Sequence, residues 1–352
     1  MKYYSTNKQA PMASLQEAVV KGLAADRGLF MPMTIKPLPQ EFYDTIDTLS
    51  FQEIAYRVAD AFFGEDIPAD ILKQIVYDTL SFDVPLVKVT DNIYSLELFH
   101  GPTLAFKDMA LQLLPHLTTL SAKKSGENRE VAILVATSGD TGKAALEGFK
   151  DVPGTSCTVF YPTDGVSDVQ KLQMTTTGGE NTHVIALNGN FDDAQSGVKA
   201  LFSSEDFHQQ VNARGKVLSS ANSINFGRLV PQIVYYFSAY ADLLNAGAIA
   251  LGDEVNFVVP TGNFGNILAG YYARSMGLPV KKLICASNRN NVLTDFFLGG
   301  VYDTRRQFFK TTSPSMDILI SSNLERLLFE CADRDGALIA RWMQQLRTSQ
   351  SY

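Results

Sequence analysis

No uninterrupted apolar run in these 352 residues is long enough to span a bilayer, so a transmembrane chain is not expected. The opening stretch, Met1-Lys2-Tyr3-Tyr4-Ser5-Thr6-Asn7, lacks the apolar centre of a secretory signal, which makes the cytoplasm the expected location. Blocks of lysine and arginine are missing as well. Thirty basic residues face 37 acidic ones, for a net charge of −7, and neither nucleic acid nor an anionic membrane is an expected partner. Cysteine is scarce: Cys157, Cys285 and Cys331 are odd in number and far apart, which argues against a disulfide framework. His100, His116, His183 and His208 share no ligand spacing with one another or with a cysteine, so no metal site is expected. No G-x-G-x-x-G follows a strand-like run. Gly142-Lys143 is followed by Ala144 where a Walker loop needs serine or threonine, and Thr137 stands where its first glycine belongs. Dinucleotide-dependent dehydrogenases and P-loop ATPases drop out.

What remains is an ordinary globular composition, 45% hydrophobic and 19% charged, in a chain longer than one core usually serves. Residues 1–80 read as a mainly helical N-terminal region. Ser14 and Glu17 have capping-box spacing, helical periodicity runs over 51–63 up to Gly64, and a second helix starts at Pro68. Beyond them, short apolar runs at 131–136, 156–161, 183–187, 216–218, 255–260 and 280–286 alternate with helical segments. That alternation predicts parallel sheets covered by helices. The expected fold is therefore α/β, with two doubly wound domains and a cleft between them. One domain comprises residues 111–224; the larger one comprises 81–110 and 225–352.

Three stretches carry candidate chemistry. In Leu98-Phe99-His100-Gly101-Pro102-Thr103-Leu104-Ala105-Phe106-Lys107-Asp108 a lysine directly follows an apolar run. Burial disfavours an ammonium, so Lys107 could offer a free amine for Schiff-base chemistry with a carbonyl substrate or with pyridoxal phosphate. A lysine snorkelling from the surface reads equally well from this stretch alone.

Two strand–glycine turn–helix units follow: Thr137-Ser138-Gly139-Asp140-Thr141-Gly142 and Thr261-Gly262-Asn263-Phe264-Gly265-Asn266. Such turns bring backbone N–H groups and a helix N-terminus to a ligand. The second carries no acid and suits a phosphate, whereas Asp140 would repel one in the first. The hydroxyls of Thr137, Ser138 and Thr141 suit a substrate carboxylate or a ring hydroxyl instead. Tight turns with Asp140 as a helix cap are the plain alternative. The third stretch, Ser219-Ser220-Ala221-Asn222-Ser223-Ile224-Asn225-Phe226-Gly227-Arg228, holds the donors of an anion site, or else those of a polar hinge.

Taken together, these motifs resemble the threonine synthase family of pyridoxal phosphate enzymes, which has the tryptophan-synthase β-like fold. The matching stretches are 3–6, 17–19 to 28–30, 97–108, 136–142, 223–232 and 260–266, in the family's order and over nearly the whole chain. The resemblance implies that Lys107 is the lysine that carries pyridoxal 5'-phosphate. It implies that Gly262, Asn263, Phe264, Gly265 and Asn266 bind the cofactor's phosphate. Ser138, Asp140 and Thr141 would lie beside the ring and the substrate carboxylate. Asn222, Asn225, Arg228 and Lys171 would hold the substrate's phosphate. The implied reaction takes O-phospho-L-homoserine and water to L-threonine and phosphate.

Two rival expectations stand beside it: a related phospho-lyase releasing a keto acid, and a catalytically silent cofactor-binding homologue. The family's C-terminal Thr/Ser-x-His-Pro-Ala-Lys-Phe-type motif has no match in this sequence, so a short form that binds cofactor but turns over slowly is a further expectation. Nothing in the sequence decides between monomer and dimer.

Overall fold

The computed structural model describes all residues except 164, 165 and 190. Two compact units emerge. One comprises Met1–Ser14, Leu23–Ala69 and Leu229–Tyr352; the other comprises Leu15–Gly22 and Asp70–Arg228.

Along the chain the elements begin with β1 (Lys2–Ser5), β2 (Ala13–Ser14), α1 (Leu15–Lys21) and β3 (Phe30–Pro32). The strands form a small antiparallel sheet in the order β2-β1-β3, an addition to the helices expected at this end. Then come α2 (Gln40–Thr45), α3 (Phe51–Phe63) and α4 (Ala69–Thr79). Ser50 caps α3 by accepting from the Glu53 N–H at 3.1 Å. Ile54, Ala55, Val58, Ala59, Phe62 and Phe63 form its buried stripe, the i, i+3/i+4 spacing that makes a helix amphipathic.

The second unit continues with a hairpin, β4 (Leu86–Thr90) and β5 (Ile93–Leu96), and two helices, α5 (Asp108–Leu111) and α6 (Leu114–Lys124). Its centre is built from β6 (Glu130–Ala136), α7 (Asp140–Phe149), β7 (Thr155–Pro162), α8 (Asp168–Thr175), β8 (Thr182–Leu187), α9 (Phe191–Ser203), α10 (Glu205–Ala213) and β9 (Lys216–Ser219). The four strands are parallel and lie in the order β8-β7-β6-β9. A Cβ at Gly142 would lie 2.8 Å from Val159 Cγ1, which puts α7 on the Val135 and Val159 face of the sheet; α9 and α10 lie on the other, over Leu134 and Ala136. Leu134, Ala136, Ala194, Val198, Val211 and Leu218 form the core under α9 and α10. Strand order reverses between β6 and β9, and such a switch point, at the carboxyl ends of the strands, is where open α/β sheets bind ligands.

Residues 81–110, expected with the C-terminal part of the chain, cluster here with 111–228. The close packing of α7 on α5 is one reason. A Cβ at Gly148 would lie 2.0 Å from the Leu111 carbonyl oxygen, an approach open only to glycine.

The boundary between the units falls within α11 (Phe226–Asn245). The first unit then runs through β10 (Val255–Pro260), α12 (Gly265–Ser275), β11 (Val280–Ala286), α13 (Val292–Gly299), α14 (Leu324–Cys331) and α15 (Gly336–Ser349). β10 and β11 are parallel, joined through α12. This sheet has two strands among the described residues, a smaller one than the double winding expected of both domains. No helix among the described residues is long and apolar enough to cross a membrane.

Candidate active site

In the second unit, both polar turns singled out in the sequence sit at the switch point: residues 137–142 follow β6, and residues 220–225 follow β9. Lys107 comes to the first of them. It precedes α5, is 9% exposed, and its Nζ lies 3.5 Å from Asp140 Oδ2. Of the apolar run before it, Phe106 stays beside the amine, with its ring centroid 5.8 Å from Nζ. Leu104 is 69% exposed and takes a left-handed φ of 58°, so the run is a turn, not a strand. Asp108 ties that turn together, accepting from Thr103 N at 2.8 Å and from Thr103 Oγ1 at 2.6 Å.

Burial lowers the Lys107 ammonium from its ordinary 10.5 to about 8; the Asp140 carboxylate opposes the shift and the Arg228 guanidinium adds to it. Two substitutions should therefore move this group in opposite directions. Asp140→Asn removes the charge that favours the ammonium and is expected to take the Lys107 pKa further down. Arg228→Met is expected to bring it up. The pH dependence of Lys107 modification by an amine-directed reagent, read by peptide mapping of the cofactor-free protein, checks both signs, and shifts in the reverse order would contradict this geometry.

The 137–142 turn is organised by Thr137, whose Oγ1 accepts from the N–H groups of Gly139 and Gly142, both at 2.9 Å. Gly139 has φ 141°, and a Cβ there would run into the Gln170 side chain. Gln170 in turn donates to Asp140 Oδ1. Ser138, Asp140 and Thr141 are half-buried. Gln170 was not legible as a site residue. Its spacing from Ser167 marks the capping box of α8, but nothing local points to Asp140 thirty residues away.

Arg228 is 4% exposed and donates from Nη1 to the Ala221 carbonyl at 2.9 Å; burial pushes its guanidinium down to about 10. Asn225 is buried, and its amide is committed to backbone: Nδ2 donates to Val19 O at 2.9 Å and Ser220 O at 3.1 Å, and Oδ1 accepts from Gly227 N at 3.0 Å. Asn222 is half-buried in the same turn, and its carbonyl accepts from Asn225 N at 3.0 Å. Lys171 is exposed on α8.

The first unit supplies the other turn. Residues 261–264 follow β10, and Phe264, at φ 65°, swings the chain into α12. Thr261 N donates to Ala286 O at 2.9 Å, and Asn266 Nδ2 closes the turn on Pro260 O at 2.7 Å. A helix leaves its first N–H groups without intrahelical partners and its positive end outward. With no acid among residues 261–266, this is an anion-accepting terminus.

Two family models match the chain: threonine synthase N terminus over residues 2–80, and pyridoxal-phosphate dependent enzyme over residues 84–341. A threonine synthase of Pseudomonas aeruginosa is 43% identical, over 99% of this chain and 73% of its own length. A protein named threonine synthase-like 1 in Macaca fascicularis is 42% identical over 96% of this chain, which spans 47% of that protein. A crystal structure of a pyridoxal-phosphate-bound threonine synthase from Brucella melitensis superposes with a TM-score of 0.92 at 42% identity, covering 100% of this chain and 74% of that one. The residues present fit that cofactor: a buried amine with a lowered pKa for its aldehyde, and an acid-free helix terminus for its phosphate.

Proposed function

The chain belongs to the threonine synthase family of pyridoxal-phosphate-dependent lyases, and we propose that it converts O-phospho-L-homoserine and water to L-threonine and phosphate, with Lys107 as the catalytic amine. The observation that carries this reading is Lys107 itself, buried beside Asp140 at the end of β6 with a pKa near the working pH.

Lys107 would hold the cofactor's aldehyde, and the N–H groups of Asn263, Phe264, Gly265 and Asn266 would hold its phosphate. Gly262, without a side chain, would leave the approach to them open. Pyridoxal phosphate, when bound, supplies an electron sink conjugated with the substrate's Cα. Lys107 would remove the Cα proton as general base and serve the later transfers: Cβ gives up a proton as phosphate leaves Cγ, Cγ is then protonated, and water adds its hydroxyl at Cβ while Cα regains a proton. A pKa of about 8 suits both directions of transfer, and Asp140 steadies the ammonium while it holds the proton. Ser138 and Thr141 offer hydroxyls to the substrate carboxylate. Arg228 and Asn222, with exposed Lys171 further out, hold the leaving phosphate electrostatically. Asn225 serves them by shaping the turn through its three backbone bonds. Three free cysteines suit the reducing cytoplasm as the place of work.

Charge-assisted hydrogen bonds contribute about 1.5–3 kcal/mol, so Arg228→Ala should lower kcat/KM for O-phospho-L-homoserine by at least about tenfold. Free phosphate should inhibit the parent competitively and lose potency in the variant. If both quantities stay unchanged, Arg228 only braces the Ala221 turn. The reaction itself is tested by product analysis of the cofactor-loaded protein with O-phospho-L-homoserine. Threonine and phosphate are expected; 2-oxobutanoate and ammonia would assign the lyase chemistry instead, and no turnover the silent homologue.

A further inference from the structure

The carbonyl oxygens of the 262–264 turn are held by a segment some sixty residues further on. Ser321 Oγ donates to Gly262 O at 2.7 Å. The backbone N–H and the side-chain Nδ2 of Asn323 both donate to Asn263 O, at 3.0 and 3.1 Å. A peptide unit is planar and trans, so its C=O and N–H point in opposite directions. Fixing Gly262 O therefore aims the N–H of Asn263, and fixing Asn263 O aims the N–H of Phe264, both away from residues 321–323.

Asn323 sits at the N-cap of α14, the position where asparagine usually accepts from the helix's own N–H groups. Here it makes no such cap bond. Its amide goes to Asn263 O on one side and accepts from Arg326 Nη1 on the other. Arg326 is fully buried, a costly place for a guanidinium, and its Nε donates to Phe30 O at 3.1 Å. The neighbouring Glu325 accepts from Thr6 Oγ1, which itself accepts from Leu29 N at 2.8 Å. Ser321 is anchored too, its N–H donating to Tyr302 OH at 2.8 Å. The N-terminal stretches around Thr6 and Phe30, which the reaction does not otherwise use, thus end on the helix that holds the turn.

We infer that Ser321 and Asn323 are positioning residues for the cofactor's phosphate: they aim the N–H groups of Asn263 and Phe264, and Arg326 with the stretches at Thr6 and Phe30 holds them in place. This rests on the assignment of the 262–266 turn to the cofactor phosphate.

Cofactor-free protein titrated with pyridoxal phosphate and, separately, with pyridoxal, which lacks the phosphate, tests it. Thermal midpoints of the cofactor-free variants report folding. Ser321→Ala and Asn323→Asp should each weaken pyridoxal phosphate binding about tenfold, the equivalent of one hydrogen bond to a charged group. Pyridoxal binding should change less than about twofold on the same grounds, and Ser321→Thr, which keeps the hydroxyl, should restore the parent value. Asn323→Asp separates the roles, because it keeps an acceptor for Arg326 while losing the side-chain donor to Asn263 O. Parent-like pyridoxal phosphate affinity in both variants, or equal loss for the two ligands, would overturn the inference alone. A parent that binds pyridoxal as well as pyridoxal phosphate would overturn the phosphate-turn assignment and this inference with it.

Discussion

Lys107→Ala is expected to lower threonine formation by at least ~10³-fold, because one side chain supplies both the covalent anchor and the Cα base. The visible absorption of the cofactor-loaded protein should be lost with it. Stability should move the other way. A fall from 10.5 to about 8, at about 1.4 kcal/mol per unit, costs the cofactor-free fold roughly 3 kcal/mol. The folded state binds fewer protons than the unfolded one between those two values. The Lys107 contribution to stability therefore rises with pH from about 8 to 10.5, and its cost is present in full below pH 8. Lys107→Met, which keeps the packing, should remove that pH dependence and be the more stable protein at pH 7. Denaturant unfolding of both cofactor-free proteins at pH 7 and pH 10.5 checks this. A stability difference between parent and Lys107→Met that is the same at the two pH values would show that Lys107 is not desolvated.

Gly262→Val should weaken pyridoxal phosphate binding on the order of a hundredfold, the equivalent of losing two charge-assisted hydrogen bonds at the low end of their range. A Cβ at this position would lie 3.1 Å from Ser315 O and 3.2 Å from Met316 Cα. Both are backbone atoms that cannot swing aside, and valine adds two further carbons. The turn must shift, which spoils the aim of the Asn263 and Phe264 N–H groups. Ser138→Ala and Thr141→Ala, by contrast, should retain the cofactor and raise KM or lower kcat, since their hydroxyls face the substrate in this account. Cofactor titration of the three variants separates the two turns. Equal loss of cofactor in all of them would mean that the labour is not divided this way.

How legible each feature was in the sequence depended on how local its cause is. β10 and β11 were readable to the residue, because each is a short run, apolar but for Asn256 in the first and Lys281 and Lys282 in the second, closed by a turn. The β1–β2–β3 sheet was not. Its strands have four, two and three residues, too few for a period of two to show. Lys107 stood out in the sequence as a candidate because of its apolar neighbours. The apolar run ahead of it forms a turn with Leu104 exposed, and the groups that set its pKa are burial, Asp140 and Arg228, far along the chain. Asn225 read as a phosphate ligand, while its amide is tied to three backbone groups, one of them at Val19. Ser321, Asn323 and Arg326 had no sequence signal at all. They are polar residues without periodicity, and their partners lie from three to almost three hundred residues away. Arg228 read as either an anion ligand or a hinge brace, and its bond to Ala221 O is the contact a brace would make.

Borohydride reduction of the cofactor-loaded protein, followed by peptide mapping, tests the central claim most directly. The account predicts a single pyridoxyl label on Lys107. A label on any other lysine, or no reducible link after addition of pyridoxal phosphate, would contradict it.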